Sequence, residues 1–181
     1  MKFRRDVTIH CREVDTPLGR VLLAATDIGL AGLWFESQRH SPQTAGWLVD
    51  PRHPVLCEAV AQLQDYLAGR RQGFELPLDL SHGTAFQQSV WRALLAIPAG
   101  STWTYAAVCR HIGKPAAMRA VGTAVGRNPI SIVVPCHRVL GSDGTLTGYA
   151  GGLGRKAALI ELEGGPCRAP DRQLSGAAAC A

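Results

Sequence analysis

Ile130-Ser131-Ile132-Val133-Val134-Pro135-Cys136-His137-Arg138-Val139 is the stretch from which the rest of the chain is read. The β-branched run 132–134 predicts a buried strand. Pro135 has no N–H to give a sheet ladder, so the strand is expected to stop there. Cys136 and His137 then sit at the edge of a rigid element, which suits a nucleophile and its proton partner. The competing reading is a buried structural cysteine beside a surface histidine, because free cysteine is among the most buried residue types.

On the N-terminal side of this stretch the sequence reads as helices. Thr84-x-x-Gln87 fits a capping box and starts a helix over 85–96, with Val90, Trp91, Leu94 and Leu95 for burial. A short helix over 105–112 follows, capped by Thr102 or Thr104. Gly113-Lys114-Pro115 breaks the chain, and a further helix over 116–127 is stopped by Asn128-Pro129. Two short helices around a glycine turn make a helix-turn-helix candidate. In the second helix Ala117, Val121, Ala124 and Val125 form the core stripe. The opposite face carries Arg119, Gly122, Thr123 and Gly126, one cation among very small residues. A solvated face normally shows several long polar side chains, so this one reads as a surface for nucleic acid. The alternative is helix-on-helix packing through small residues.

On the C-terminal side, residues 141–144 predict a turn. Thr147-Gly148-Tyr149-Ala150-Gly151-Gly152 is a glycine-rich loop without the Gly-Lys-Ser/Thr ending of a phosphate cradle. Its one tyrosine suits a lid over a flat ligand. A last helix over 155–163 places Glu163 on the stripe of Leu159 and Ile160, in the final turn. A carboxylate there opposes the helix dipole and, half-buried, needs a donor. His137 is the expected donor; the alternative is a solvent-facing glutamate at a frayed end.

The first eighty residues read differently. Strands over 7–13, 21–26 and 30–35 with short turns predict an antiparallel meander, followed over 36–53 by a loop with room for a short helix. Residues 55–68 form an amphipathic helix ending at Gly69, with Leu56, Ala59, Val60, Leu63 and Leu67 on one stripe. An edge strand is expected over 74–80 and a hinge at 81–83. Nothing here suggests catalysis, and His10, Cys11, His40 and His53 match no common metal-ligand spacing. The fold class is therefore α+β: a small N-terminal antiparallel-sheet domain (1–80) and a mostly helical C-terminal domain (84–165). A tail over 166–181, rich in Ala, Gly, Pro and Ser, is expected to be disordered.

Composition narrows the function class. The chain has 181 residues, 46% hydrophobic and 18% charged, as in a globular protein. No apolar run reaches the ~20 residues of a membrane helix, and no signal-like segment follows the start, so a cytoplasmic protein is expected. Six scattered cysteines without a C-x-x-C argue against a zinc ribbon or a disulfide framework. Charge is uneven: residues 1–83 carry nine Lys/Arg against ten Asp/Glu, and residues 84–165 carry eight against three. That basic half suggests an anionic partner.

With these motifs in order, the chain resembles the O6-alkylguanine-DNA alkyltransferase family. The resemblance rests on Phe86-Gln87-x-x-Val90-Trp91, Tyr105, Arg119-Ala120-Val121-Gly122, Asn128-Pro129, the stretch 132–139, Gly148-Tyr149-x-Gly151-Gly152 and Glu163. It implies direct reversal of DNA damage. A guanine (or O4-alkylthymine) is flipped from double-stranded DNA bound through its minor groove, and Cys136 keeps the alkyl group irreversibly. It implies a ribonuclease H-like first domain, a monomer, no cofactor, and a stand-alone repair form without a zinc domain. Carried over by resemblance, Cys136 is the nucleophile, His137 and Glu163 the base relay, and Asn128 the brace of the cysteine turn. Tyr105 is the proton donor and phosphate rotator, and Arg119 the finger filling the vacated stack. Gly122, Thr123, Gly126 and Ser142 also face DNA, and Val139, Tyr149, Ala150 and Val125 line the substrate pocket. Ala150 departs from relatives that have Ser there, a donor to the alkylated oxygen. The rival readings are a helix-turn-helix regulator without chemistry and a cysteine hydrolase that turns over.

Overall fold

The computed structural model describes residues 7–165; the tail over 166–181 lies outside them. Alternating apolar residues and two tight turns bring β1 (His10–Val14), β2 (Val21–Thr26) and β3 (Gly29–Phe35) into the antiparallel meander read from the sequence. A two-residue strand, β4 (Leu48–Val49), adds to β1 in parallel within a segment expected to be loop, giving the order β3-β2-β1-β4. Strands this short have too few residues to carry a period. The amphipathic helix is α1 (Pro54–Leu67), which lays Leu56, Ala59, Val60, Leu63 and Tyr66 on the sheet. The expected edge strand over 74–80 is not formed. Only Leu78 bridges to Leu30, through bonds from Leu30 N–H to Pro77 and from Asp79 N–H to Leu30.

The connection at 81–83, expected as a hinge, is packed: a Cβ on Gly83 would lie 2.2 Å from the Trp91 ring. The helix α2 (Ala85–Leu95) starts with both bonds of the capping box, Gln87 N–H to Thr84 Oγ1 (3.2 Å) and Thr84 N–H to Gln87 Oε1 (3.0 Å). After β5 (Trp103–Thr104) come α3 (Tyr105–His111), capped by the Thr104 hydroxyl, and α4 (Met118–Gly126). Gly113 turns the chain between them at φ 68°. The last helix is α5 (Leu153–Leu162), with Glu163 as its C-cap. The result is α+β, an antiparallel-rich sheet with one helix and then a helical half. A single cluster of buried side chains runs through both halves, from Val21, Leu33 and Tyr66 to Trp91, Ile132 and Leu159.

One expectation at the centre of the chain fails. Residues 132–134 are buried but are not a strand. Ile132 has φ 70°, a left-handed conformation that is unusual for a β-branched residue and is held only where surroundings over-determine it. The surroundings are visible. Ser131 N–H bonds to Leu33 of β3 and Leu33 N–H bonds to Pro129, so the chain touches the sheet for one residue and then turns away. The carbonyl of Val134, which a ladder would have satisfied, instead accepts from the Asn128 side chain at 2.7 Å. A continuous apolar run cannot by itself distinguish a strand from any other buried segment. The strand lies later, at β6 (Val139–Leu140), parallel to β5.

Candidate active site and nucleic-acid interface

Pro135 leads into a single 3₁₀ turn, Cys136–Arg138, that carries three of the site's side chains. Asn128 organises it. Its Nδ2 donates to Val134 O (2.7 Å) and to Cys136 Sγ (3.0 Å), and its Oδ1 accepts from Ile130 N–H (3.0 Å). The cysteine is 5% exposed. Burial pushes its thiol up, against the opposing effects of the Asn128 bond and the Lys156 charge. Burial thus favours the thiol over the thiolate in the resting site.

His137 is fully buried, and burial pushes its pKa down despite the Glu163 contact. Its Nε2 lies 3.0 Å from Glu163 Oε1. A carboxylate only accepts, so Nε2 carries the ring proton; Nδ1 makes no hydrogen bond among the described residues and is the ring's free lone pair. Glu163 is 3% exposed at its side chain and is clamped. Arg138 donates Nη2 to Oε1 (2.7 Å) and Nε to Oε2 (3.0 Å), and its Nη1 donates to Ile97 O. The Tyr66 hydroxyl donates to Oε1 as well. Burial raises the Glu163 pKa, but the donors from His137, Arg138 and Tyr66 outweigh it and hold it at about 2. Glu163 is thus a permanent carboxylate that favours a proton on His137 without taking it.

Beside this cluster lies a cleft of about 160 Å³ lined by Tyr105 of α3, Gly122 and Gly126 of α4, and Gly148, Tyr149 and Ala150 of the glycine-rich loop. Burial raises the phenols of Tyr105 and Tyr149, and the nearby Cys136 sulfur adds to both. The sequence-predicted pocket residues Val139 and Val125 do not line this cleft; both are buried in the core. Arg119 and Thr123 lie exposed on α4, and Ser142 is exposed in the turn after β6. A Cβ on Gly122 or Gly126 would meet nothing within 4 Å, so neither glycine is there to let another described part of the chain pack against α4.

Five contributors were not read from the sequence. Arg39 and His40, from the N-terminal half, complete the cleft; the Arg39 N–H bonds to Ala150 O of the glycine-rich loop at 3.1 Å, and His40 has φ 64°. Tyr66 and Arg138 hold Glu163. Lys156 is fully buried and donates to Val139 O and Thr147 O, both at 2.6 Å, tying the segment after Cys136 to the glycine-rich loop. Arg138 was within reach of sequence reasoning, as a cation inside an apolar stretch. The other four gave no local signal. Among the described residues no group of three His, Cys, Asp or Glu could hold a metal ion. His10 and His53 do meet, 4.6 Å between ring centroids, but Cys11 forms no metal-binding group with them and His40 lies at the cleft.

Comparison with known proteins identifies the family. Residues 9–80 match the family model described as 6-O-methylguanine DNA methyltransferase, ribonuclease-like domain, and residues 85–165 match the DNA binding domain of the same family. A Mycobacterium leprae protein named methylated-DNA--protein-cysteine methyltransferase is 50% identical over 155 residues, covering 86% of this chain and 92% of its own. A Methanosarcina barkeri protein of the same name is 46% identical, covering 83% and 94%. The crystal structure of Mycobacterium tuberculosis OGT in complex with DNA superposes with a TM-score of 0.79 at 48% identity, covering 86% of this chain and 92% of that one. On sequence identity, coverage and fold together, the chain belongs to the 6-O-methylguanine DNA methyltransferase family.

Proposed function

We propose that this protein repairs DNA by direct reversal, moving an alkyl group from O6-alkylguanine to Cys136 once per molecule. The observation that carries this reading is the buried Asn128–Cys136 contact beside His137, whose Nε2 is fixed by Glu163 and whose Nδ1 is free. Because the resting pair is neutral, thiol deprotonation accompanies substrate arrival. The proton passes from Cys136 to His137 Nδ1 through a water, and Glu163 stabilises the imidazolium. The sulfur then attacks the alkyl carbon in line. An S–C bond forms, the C–O6 bond breaks, and its electrons remain on the guanine ring. Tyr105, kept protonated by burial, gives the ring its proton and is reprotonated from solvent, where the imidazolium proton ends. The product thioether has no route back to thiol.

The base must leave the duplex to reach this cleft. Arg119 on α4 fills the vacated stack, Gly122, Thr123 and Gly126 let the helix lie in a minor groove, and Tyr149 and Ala150 close over the base. With Ala150 lacking a hydroxyl, backbone N–H groups of the lid serve the alkylated oxygen. The N-terminal unit, 1–80, and the DNA-binding unit, 84–165, work as a monomer. The four described cysteines are free thiols, which suits a reducing cytoplasm.

The test is intact mass after incubation with duplex DNA containing O6-methylguanine. A stable gain of one methyl group on Cys136 is expected. No gain with DNA binding retained would favour a helix-turn-helix regulator, and repeated turnover without a stable adduct would favour a hydrolase.

A further inference from the structure

Glu163 is held by two parts of the chain that lie far apart in sequence. Its own half supplies His137 and Arg138. Among the described residues the remaining side-chain donor is Tyr66, 97 residues away on α1. Tyr66 is buried, with its ring 5.1 Å from that of Phe74. Packing does not require a hydroxyl there, since phenylalanine would fill the same space, and a buried hydroxyl is costly unless paired. Its partner is Oε1, the oxygen that also faces His137.

Glu163 needs an anchor outside its own helix. It is the C-cap of α5, and the chain leaves the helix at once through Gly164, φ 70°. Helix ends fray, and the negative end of the dipole disfavours a carboxylate. Arg138 stands on the same 3₁₀ turn as His137, so it moves with the group it would fix. Tyr66 belongs to a fourteen-residue helix packed on the sheet, a rigid element independent of that turn.

We propose that Tyr66 is a positioning residue for alkyl transfer: through Glu163 Oε1 it fixes the carboxylate against His137, so the N-terminal half takes a direct part in activating Cys136. The proposal rests on the His137–Glu163 relay above. The charged and titratable groups around that relay are Tyr66 from α1, Cys136, His137 and Arg138 from the 3₁₀ turn, Lys156 from α5, and Tyr149 from the lid.

The experiment measures single-turnover rates with free O6-benzylguanine from about pH 5 to about pH 9 in the wild type, Tyr66→Phe, Glu163→Gln and the double variant. Glu163→Gln is expected to move the rise of the profile to higher pH. Tyr66→Phe moves it the same way, with a loss at pH 7 of roughly three- to tenfold, as fits the net contribution of one typical hydrogen bond. The double variant reacts like Glu163→Gln alone, because both changes act through one carboxylate. A Tyr66→Phe profile that overlays wild type, or losses that multiply in the double variant, overturns the role of Tyr66 and leaves the relay standing. A Glu163→Gln profile that overlays wild type overturns the relay and this inference with it. Should Tyr66→Phe not fold, the Tyr66 hydroxyl proton is followed by NMR. A downfield resonance lost in Glu163→Gln supports the contact, and one that does not move overturns it.

Discussion

Single residues here do work that can be separated from folding. Cys136 follows a proline, ends an apolar run and accepts a hydrogen bond from Asn128, all features a smaller side chain leaves in place. Cys136→Ser should abolish methyl transfer, read as adduct mass, and leave affinity for DNA within about twofold, since a serine hydroxyl can take the same Asn128 bond. Transfer surviving in that variant would move the nucleophile elsewhere. Titration of buried groups is the second property at this scale. His82, against Trp91, has its pKa pushed down to about 4 by burial, against the pull of Asp79. An unfolded histidine titrates near 6.5, so the unfolded chain takes the proton first. Stability is complete above pH 6.5 and is lost as pH falls towards 4, by on the order of 1–3 kcal/mol. Thermal melts of His82→Gln should show a flatter decline across that window. Part of the slope remains, because His137 is depressed in the same direction. Glu163 acts lower, since its carboxylate at about 2 costs stability only below an unfolded value near 4.3. If His82→Gln melts fall with pH as steeply as wild type, His82 is not the group responsible.

At the scale of elements, α4 sets stability against function. Gly122 lies inside the helix with open space where a Cβ would go. Alanine there favours the helix by about 0.5–1 kcal/mol, so Gly122→Ala should raise Tm by a few degrees. The same methyl stands on the face proposed to meet the groove, so affinity for duplex DNA should fall. A stabilised variant that binds as tightly as wild type would remove α4 from the interface. The core side of α4 was legible because Val121, Ala124 and Val125 recur at helical spacing, and all three are buried. The capping box of α2 was legible for a similar reason: its partners are three residues apart. The run 132–134 was misread because its apolar pattern records burial and not conformation. Ile132 turns left-handed because Asn128 and the edge of β3 accept and supply the hydrogen bonds that a neighbouring strand would have provided.

Across the whole molecule, charge is divided between the halves, with eight Lys/Arg against three Asp/Glu over 84–165 and nine against ten over 1–83. DNA binding driven by the first of these should weaken by at least about tenfold between 50 and 200 mM salt. A nearly flat log–log plot of affinity against salt would mean that phosphate contacts are few. The amino-acid sequence alone determined the meander, the amphipathic and capped helices, the basic half, and the adjacency of Cys136, His137 and Arg138. Each of these is written in periods, caps or neighbours a few residues long. Only the tertiary structure decided which groups complete the site: Tyr66 on Glu163 across 97 residues, Arg39 and His40 at the cleft, and Lys156 bonded to the glycine-rich loop. Such contacts leave no local trace, because a side chain's partner across the core is chosen by how α1, the sheet and α5 pack together and not by the residues beside it in the chain.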